Sequence, residues 1–237
     1  MPPKSARKEK VRGLFITFEG GEGAGKSTQV KLLQKALEKT GHEVVVTREP
    51  GGSVGGEAVR HVLLSGPAAP LGPEMEAILF AAARSDHVET LIKPAIASGA
   101  IVLCDRFYDS TRVYQGASGN VSRDLLSKLE EVACEDCWPD LTIILDLPPE
   151  EGMRRAAARR GKGEAADRFE KETLALQTIR RNAYLDIAAS EPERCRIVDA
   201  NRSEKAVHKS ILRLVEPLLS TSSSSRESGR AVREKVE

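Results

Sequence analysis

Residues 13–28 read Gly-Leu-Phe-Ile-Thr-Phe-Glu-Gly-Gly-Glu-Gly-Ala-Gly-Lys-Ser-Thr, an apolar alternating strand that runs into a glycine-rich loop. Gly20, Gly25, Lys26 and Ser27 satisfy the spacing GxxxxGK[ST] without a gap. Such a loop does one physical thing well. Its glycines lack Cβ atoms, so the backbone can curl and aim successive N–H groups at a chain of phosphates. The helix expected from Lys26 adds the positive end of its dipole. Gly20, Gly21, Glu22, Gly23, Ala24, Gly25, Lys26, Ser27 and Thr28 are therefore the expected contacts of a nucleoside triphosphate such as ATP. Lys26 would bridge the β- and γ-phosphates, and the Ser27 hydroxyl would ligate Mg²⁺.

Strand and helix patterns alternate along the remaining sequence. Candidate strands are 14–19, 43–48, 100–105, 141–146 and 194–199, β-branched and almost unbroken in apolar character. That character suits strands buried on both faces of a parallel sheet. Helical patterns cover 26–39, 56–65, 74–98, 122–137, 149–160, 168–189 and 204–219. Pro73 and Ser122 stand where helices start, and Gly41 and Gly99 where they end. The expected fold is α/β, a doubly wound five-stranded parallel sheet flanked by helices, of the P-loop NTPase class. Ligands belong at the carboxyl ends of its strands.

With 237 residues, 40% of them apolar, the chain can bury one substantial core. One domain is expected over 13–219, between a basic tail at 1–12 and a polar, serine-rich tail at 220–237, both expected to be disordered. The net charge of +1 hides an uneven distribution, with the basic side chains of the first tail set against an acidic body. A nucleic-acid-binding surface is not expected on that body. No apolar run approaches the length of a membrane span, and the first residues lack the apolar stretch of a secretion signal. A soluble, cytoplasmic protein is expected. Cys134 and Cys137 have CxxC spacing, but no second pair completes a metal site. All four cysteines are expected as reduced thiols.

Charge recurs at the strand ends. The second strand ends Thr47-Arg48-Glu49-Pro50-Gly51-Gly52, and the third ends Cys104-Asp105-Arg106-Phe107-Tyr108. Arg48 and Arg106 offer planar, bidentate donors to phosphate oxygens. Asp105 stands where P-loop enzymes keep an acid for Mg²⁺ or its waters. The plainer reading is an Arg–Asp ion pair that closes the sheet edge.

Four segments together carry a resemblance. Phe18 to Thr28, Thr47 to Gly52, Asp105-Arg106-Phe107 and Asp167-Arg168-Phe169-Glu170 follow the order and spacing of the thymidylate kinases, and the match resembles the bacterial branch. It covers 13 to about 216. The resemblance implies phosphoryl transfer from ATP to dTMP, with Mg²⁺, in a homodimer. It implies that Glu22 lies near the acceptor sugar and phosphate, and that Arg48 and Arg106 grip that phosphate. Glu49-Pro50 would be a cis peptide. Phe80 would stack on thymine while Arg84, four residues on, bonds its carbonyl edge. Thr111, Tyr114 and Gln115 would complete the pocket, with Tyr114 excluding a ribose 2′-hydroxyl. Asp167 and Glu170 would edge the lid near the 3′-hydroxyl.

The lid itself is expected at about 154–167. Its basic end would lend an arginine to the transferring phosphoryl, because the phosphate loop has Gly23 and Ala24 where the other branch has a basic residue. Arg159 is the first candidate, then Arg155 and Arg160. The loop at Val198-Asp199-Ala200-Asn201 would touch adenine. Two other readings remain at this point: another nucleotide kinase, acting on dUMP or dCMP, or a regulatory P-loop NTPase. The guanine-reading NKxD motif common in the latter is absent from the sequence.

Overall fold

The computed structural model describes residues 12–65, 69–159 and 173–231. Five parallel strands form one sheet in the order β2-β3-β1-β4-β5, where β1 is Phe15–Glu19, β2 Val44–Arg48, β3 Ile101–Asp105, β4 Leu141–Asp146 and β5 Cys195–Asp199. Residues of β1 show why it sits in the middle: all five, including Thr17 and Glu19, are fully buried. Alternation sends Ile16 and Phe18 to one face, where they pack with Leu33 and Leu37 of α1 (Lys26–Lys39) and Val207, Ile211 and Val215 of the last helix. Phe15 goes to the other face with Val88, Ile92, Ile96, Phe107 and Tyr108. Thr17 is matched there by Thr142 of β4, hydroxyl to hydroxyl at 2.8 Å, so the pair is buried without an orphaned donor.

The helices are α1, α2 (Val54–Leu64), α3 (Gly72–His87), α4 (Lys93–Ser98), α5 (Tyr108–Thr111), α6 (Arg123–Cys134), α7 (Pro149–Arg159), α8 (Leu174–Ser190) and α9 (Glu204–Ala231). Ser122 caps α6 by accepting from the Leu125 N–H, and Gly99 closes α4 with a left-handed φ of 95°. The expected helix 74–98 is interrupted by a π turn at Val88–Ile92. Pro94 follows directly and lacks the N–H that an unbroken α-helix would need there, so a wider turn precedes it. The expected end at 219 is also exceeded, since α9 is helical to Ala231, inside the segment expected as a disordered tail. Added turns extend an existing helix one bond at a time, without a new nucleus. Among the described residues three elements lie outside the expected helices and strands: a 3-10 turn at Ala69–Leu71, α5, and the π turn Arg112–Ala117 behind it.

Strand order sets the site. Because β3 lies beside β1, the turn after β3 abuts the phosphate loop, and the Arg106 N–H donates to Phe18 O at 2.9 Å. The end of β4 flanks the loop from the other side.

Candidate active site

The phosphate loop follows β1 and enters α1 through Gly25, whose φ of 91° is left-handed. Lys26 is buried, and its Nζ donates to the carbonyls of Gly20 and Gly21, 2.9 Å each. Burial, and after it the charge of Arg106, pushes the Lys26 ammonium below its ordinary pKa, while Glu22, Asp105 and Glu19 oppose the shift. Ser27 Oγ donates to Asp105 Oδ2 at 2.5 Å, joining the start of α1 to the end of β3. A hydroxyl and a carboxylate here form a hard-oxygen pair of the kind Mg²⁺ takes alongside waters and phosphate oxygens. Among the described residues no larger cluster of potential metal ligands occurs.

A second cleft opens beside the loop, with about 130 Å³ of space for a water-sized sphere. Its wall includes Glu22, Phe80, Arg84, Arg106, Thr111, Tyr114 and Gln115, so the fold gathers these expected residues from the loop, α3 and the segment after β3. The Arg106 Nη2 meets Glu22 Oε1 at 2.5 Å, and the Tyr114 hydroxyl donates to the same oxygen at 3.0 Å. The Arg106 guanidinium also lies 5.0 Å from the Tyr114 ring centre, and Arg180 of α8 lies 4.0 Å from it. Arg106 holds a left-handed φ of 73°, uncommon for a residue with a side chain.

Arg84 is fixed from behind. Its Nε donates to Glu49 Oε2 at 2.8 Å and its Nη2 to Thr111 Oγ1 at 3.2 Å. Glu49 also meets His87 Nδ1 at 3.1 Å, and His87 Nε2 lies 2.6 Å from Thr47 Oγ1. Glu49, Arg84 and His87 are all buried, so the two carboxylate oxygens are matched inside a desolvated network. The Glu49–Pro50 peptide is cis.

Other expected residues sit elsewhere. Arg48 is exposed and pairs with Glu57 of α2 at 3.1 Å, while Arg60 takes a place in the cleft wall and donates to Pro50 O at 2.7 Å. Glu57 is held below the usual carboxylate range, first by the Gly52 N–H and also by Arg48. Glu57, in the first turn of α2, holds the Arg48 guanidinium away from the cleft wall. Gln115 lines the cleft but donates to buried Glu76 at 3.3 Å. Arg155 pairs with Glu151 and donates to Ala200 O at 3.1 Å, tying α7 to the loop after β5. The Arg159 side chain, Arg160, Asp167 and Glu170 lie outside the described residues. The four cysteines are buried and free.

Several residues at the site escaped the sequence reading. Glu19 is a carboxylate at the end of an otherwise apolar strand, a signal that was visible but unused. Tyr184 and Arg181 come from α8, and nothing local marks them. Arg181 pairs with Asp146 at the end of β4 through bonds of 2.6 and 2.9 Å, beside the phosphate loop.

Among the described residues no helix is long and apolar enough to cross a membrane. A family model described as thymidylate kinase matches residues 18–211. Thymidylate kinases from two strains of Rhodopseudomonas palustris, TIE-1 and CGA009, are each 55% identical over 223 residues, which is 92% of this chain and 96% of the relative. A crystal structure of thymidylate kinase from Ehrlichia chaffeensis is 32% identical and aligns with a TM-score of 0.68 over 86% of this chain and 99% of that one. Sequence likeness over nearly the whole length thus accompanies a phosphate loop set against a second cleft, and the chain belongs to the thymidylate kinase family.

Proposed function

We propose that the protein transfers the γ-phosphoryl group of ATP to dTMP, giving dTDP and ADP. The observation that carries this reading is the meeting of two clefts at one ion pair. Glu22 belongs to the phosphate loop, Arg106 to the wall of the second cleft, and they touch at 2.5 Å. A donor on the loop and an acceptor in the cleft would therefore present their phosphates to each other.

In this reading the loop amides and Lys26 hold the ATP phosphates. Phe80 offers an aromatic face to the base, Arg84 and Thr111 bond its edge, and Arg106 holds the acceptor phosphate. Tyr114 closes the sugar side. The acceptor oxygen is already ionised at neutral pH, so no strong general base is needed. Positioning and charge stabilisation supply the catalysis. Mg²⁺, when bound, neutralises phosphate charge, and Ser27 and Asp105 are the residues that would hold it. The further positive charge at the transferring group is assigned to a lid arginine from about 154–167, Arg159 first, because Gly23 and Ala24 bring none. Exposed Met75 and Ile78 on α3 support a homodimer built on that helix, and a cytoplasmic location goes with the activity.

ADP release from ATP and Mg²⁺ tests the reading, with dTMP, dUMP, dCMP, dGMP or no acceptor. The expected result is ADP formed with dTMP well above the other tubes and matched by dTDP. Equal ADP in every tube, the blank included, would overturn it.

A further inference from the structure

Beneath Arg106 lies a carboxylate for which the phosphoryl transfer, as described, has no use. Glu19 is fully buried at the end of β1, immediately before the phosphate loop. Its Oε1 accepts from the Phe107 N–H at 2.7 Å. Its Oε2 accepts from the Ser110 hydroxyl at 2.7 Å and from the Tyr184 hydroxyl at 3.1 Å. Those two hydroxyl oxygens then stand 3.2 and 3.3 Å from Arg106 Nη1. Each hydroxyl has one proton and two lone pairs. With Glu19 ionised and the protons drawn toward it, lone pairs are left facing the guanidinium, and Nη1 meets acceptors on this side while Glu22 holds Nη2 on the other.

We propose that Glu19 is a positioning residue for phosphoryl transfer: it orders the Ser110 and Tyr184 hydroxyls as acceptors and pins the Phe107 turn, so that Arg106 is held ready for the acceptor phosphate. The proposal rests on the reading of Arg106 as the acceptor-phosphate ligand. Two observations separate it from simple burial of a polar group. A carboxylate buried at the end of β1 is expensive to desolvate, and the Phe107 N–H alone needs only a neutral acceptor. Both side-chain donors to Glu19 are also bridges to the same Arg106 nitrogen, and they arrive from different elements, α5 and α8.

The Glu19→Gln variant keeps an oxygen for the Phe107 N–H but turns an amide N–H₂ on the two hydroxyls, competing for the lone pairs that Arg106 uses. The test is a kinetic double-mutant cycle between Glu19→Gln and Arg106→Ala, with KM measured separately for dTMP and ATP. Glu19→Gln is expected to lower kcat/KM for dTMP about 10- to 100-fold, the scale set by small misplacements of a positioned group. KM for ATP should stay within about twofold, and in the Arg106→Ala background the same change should cost less than about threefold. Ser110→Ala/Tyr184→Phe removes the bridging hydroxyls and leaves the bond to Phe107. It should show the same pattern, and it carries the test if Glu19→Gln does not fold. An equal loss in both backgrounds, or an equal rise in both KM values, would make Glu19 merely structural and overturn the proposal. If Arg106→Ala weakens dTMP turnover while Glu19→Gln does not, the function stands and the proposal fails. If Arg106→Ala leaves dTMP turnover intact, the acceptor-site reading itself fails, and the proposal with it.

Discussion

Replacing Gly23 by alanine would separate the phosphate loop from α7, and the size of the effect follows from how closely the two pack. Gly23 has a φ of +71°, and a Cβ added there would lie 2.2 Å from Gly152 O and 3.0 Å from Gly152 Cα. Both are backbone atoms, so no rotamer relieves the overlap. The contact is mutual, since a Cβ on Gly152 would lie 2.5 Å from Glu22 O. Ordinary C···O contact needs about 3.3 Å, so the loop and the helix must part by about 1 Å. The left-handed backbone adds about 1–2 kcal/mol for a residue with a Cβ, and forced overpacking about 1–3 kcal/mol. Together they predict destabilisation of about 2–5 kcal/mol. For a chain of this size each kcal/mol lowers Tm by about 2–4 °C, so the expected fall is on the order of 10 °C. Thermal unfolding followed by circular dichroism measures it. Gly21→Ala is the control, because its Cβ would meet nothing within 4 Å. Equal melting temperatures for the two variants would show that the loop and α7 do not press on each other at Gly23. A displaced loop should also raise KM for ATP in Gly23→Ala.

Glu49→Ala should cost about 3–5 kcal/mol in urea unfolding, because it leaves the Arg84 guanidinium buried without its carboxylate; a loss below about 1 kcal/mol would show that the pair carries little. Arg60→Ala should raise KM for dTMP about tenfold, the scale of a charge-assisted hydrogen bond, and Arg48→Ala should do less because Glu57 already holds Arg48 at the surface. Steady-state kinetics with the reverse order would show that Arg48 swings into the cleft on binding. Burial, with Asp109 adding to it, pushes the Glu19 carboxyl up to about 7. The folded state then binds a proton that the unfolded chain has released above about pH 4.5, so this contribution to stability is fully present below that pH and is lost as pH rises through 7. Urea midpoints at pH 5 and pH 8 should therefore fall more for the wild type than for Glu19→Gln, by at most about 3 kcal/mol in stability. Parallel shifts in the two proteins would mean that Glu19 titrates normally.

The strands stand out because each carries a β-branched or apolar run, which the three central strands β3, β1 and β4 bury almost completely. Their starts fell within one residue of the observed positions because that is how sharply composition changes there. Lys26 and Ser27 stand out through the GxxxxGK[ST] spacing, and Asp105 and Arg106 because charge at a strand end contrasts with the apolar residues before it. What stayed hidden is what the third dimension supplies. Tyr184 is 165 residues from Glu19, and only the packing of α8 across β4 brings the two together. The π turn after α5 has no sequence signature, yet it carries Tyr114 and Gln115 to the cleft. Arg48 is expected at the acceptor phosphate, and without a ligand Glu57 in the first turn of α2 holds it at the surface.

The two guanidiniums of the second cleft are held in physically different ways, and the difference fits the different tasks proposed for them. Arg84 and Glu49 are 2% and 5% exposed at the side chain, and His87 and Thr111 close the network around them. Breaking that pair would strand a charge away from water, so Arg84 is fixed before any ligand arrives. Glu49 and Thr111 engage its Nε and Nη2, which leaves Nη1 as the nitrogen that neither of them takes. A rigid donor of this kind suits recognition of a neutral base edge, where selectivity depends on fixed geometry. Arg106 and Glu22 are 18% and 17% exposed and face the cleft. Water and an incoming phosphate can reach that pair, so an anionic ligand can take over part of the bond to Glu22 without leaving a buried charge unmatched. The cost of binding is then an exchange of one anion for another. With Ser110 and Tyr184 on the far side of Arg106, such an exchange would leave the guanidinium in place.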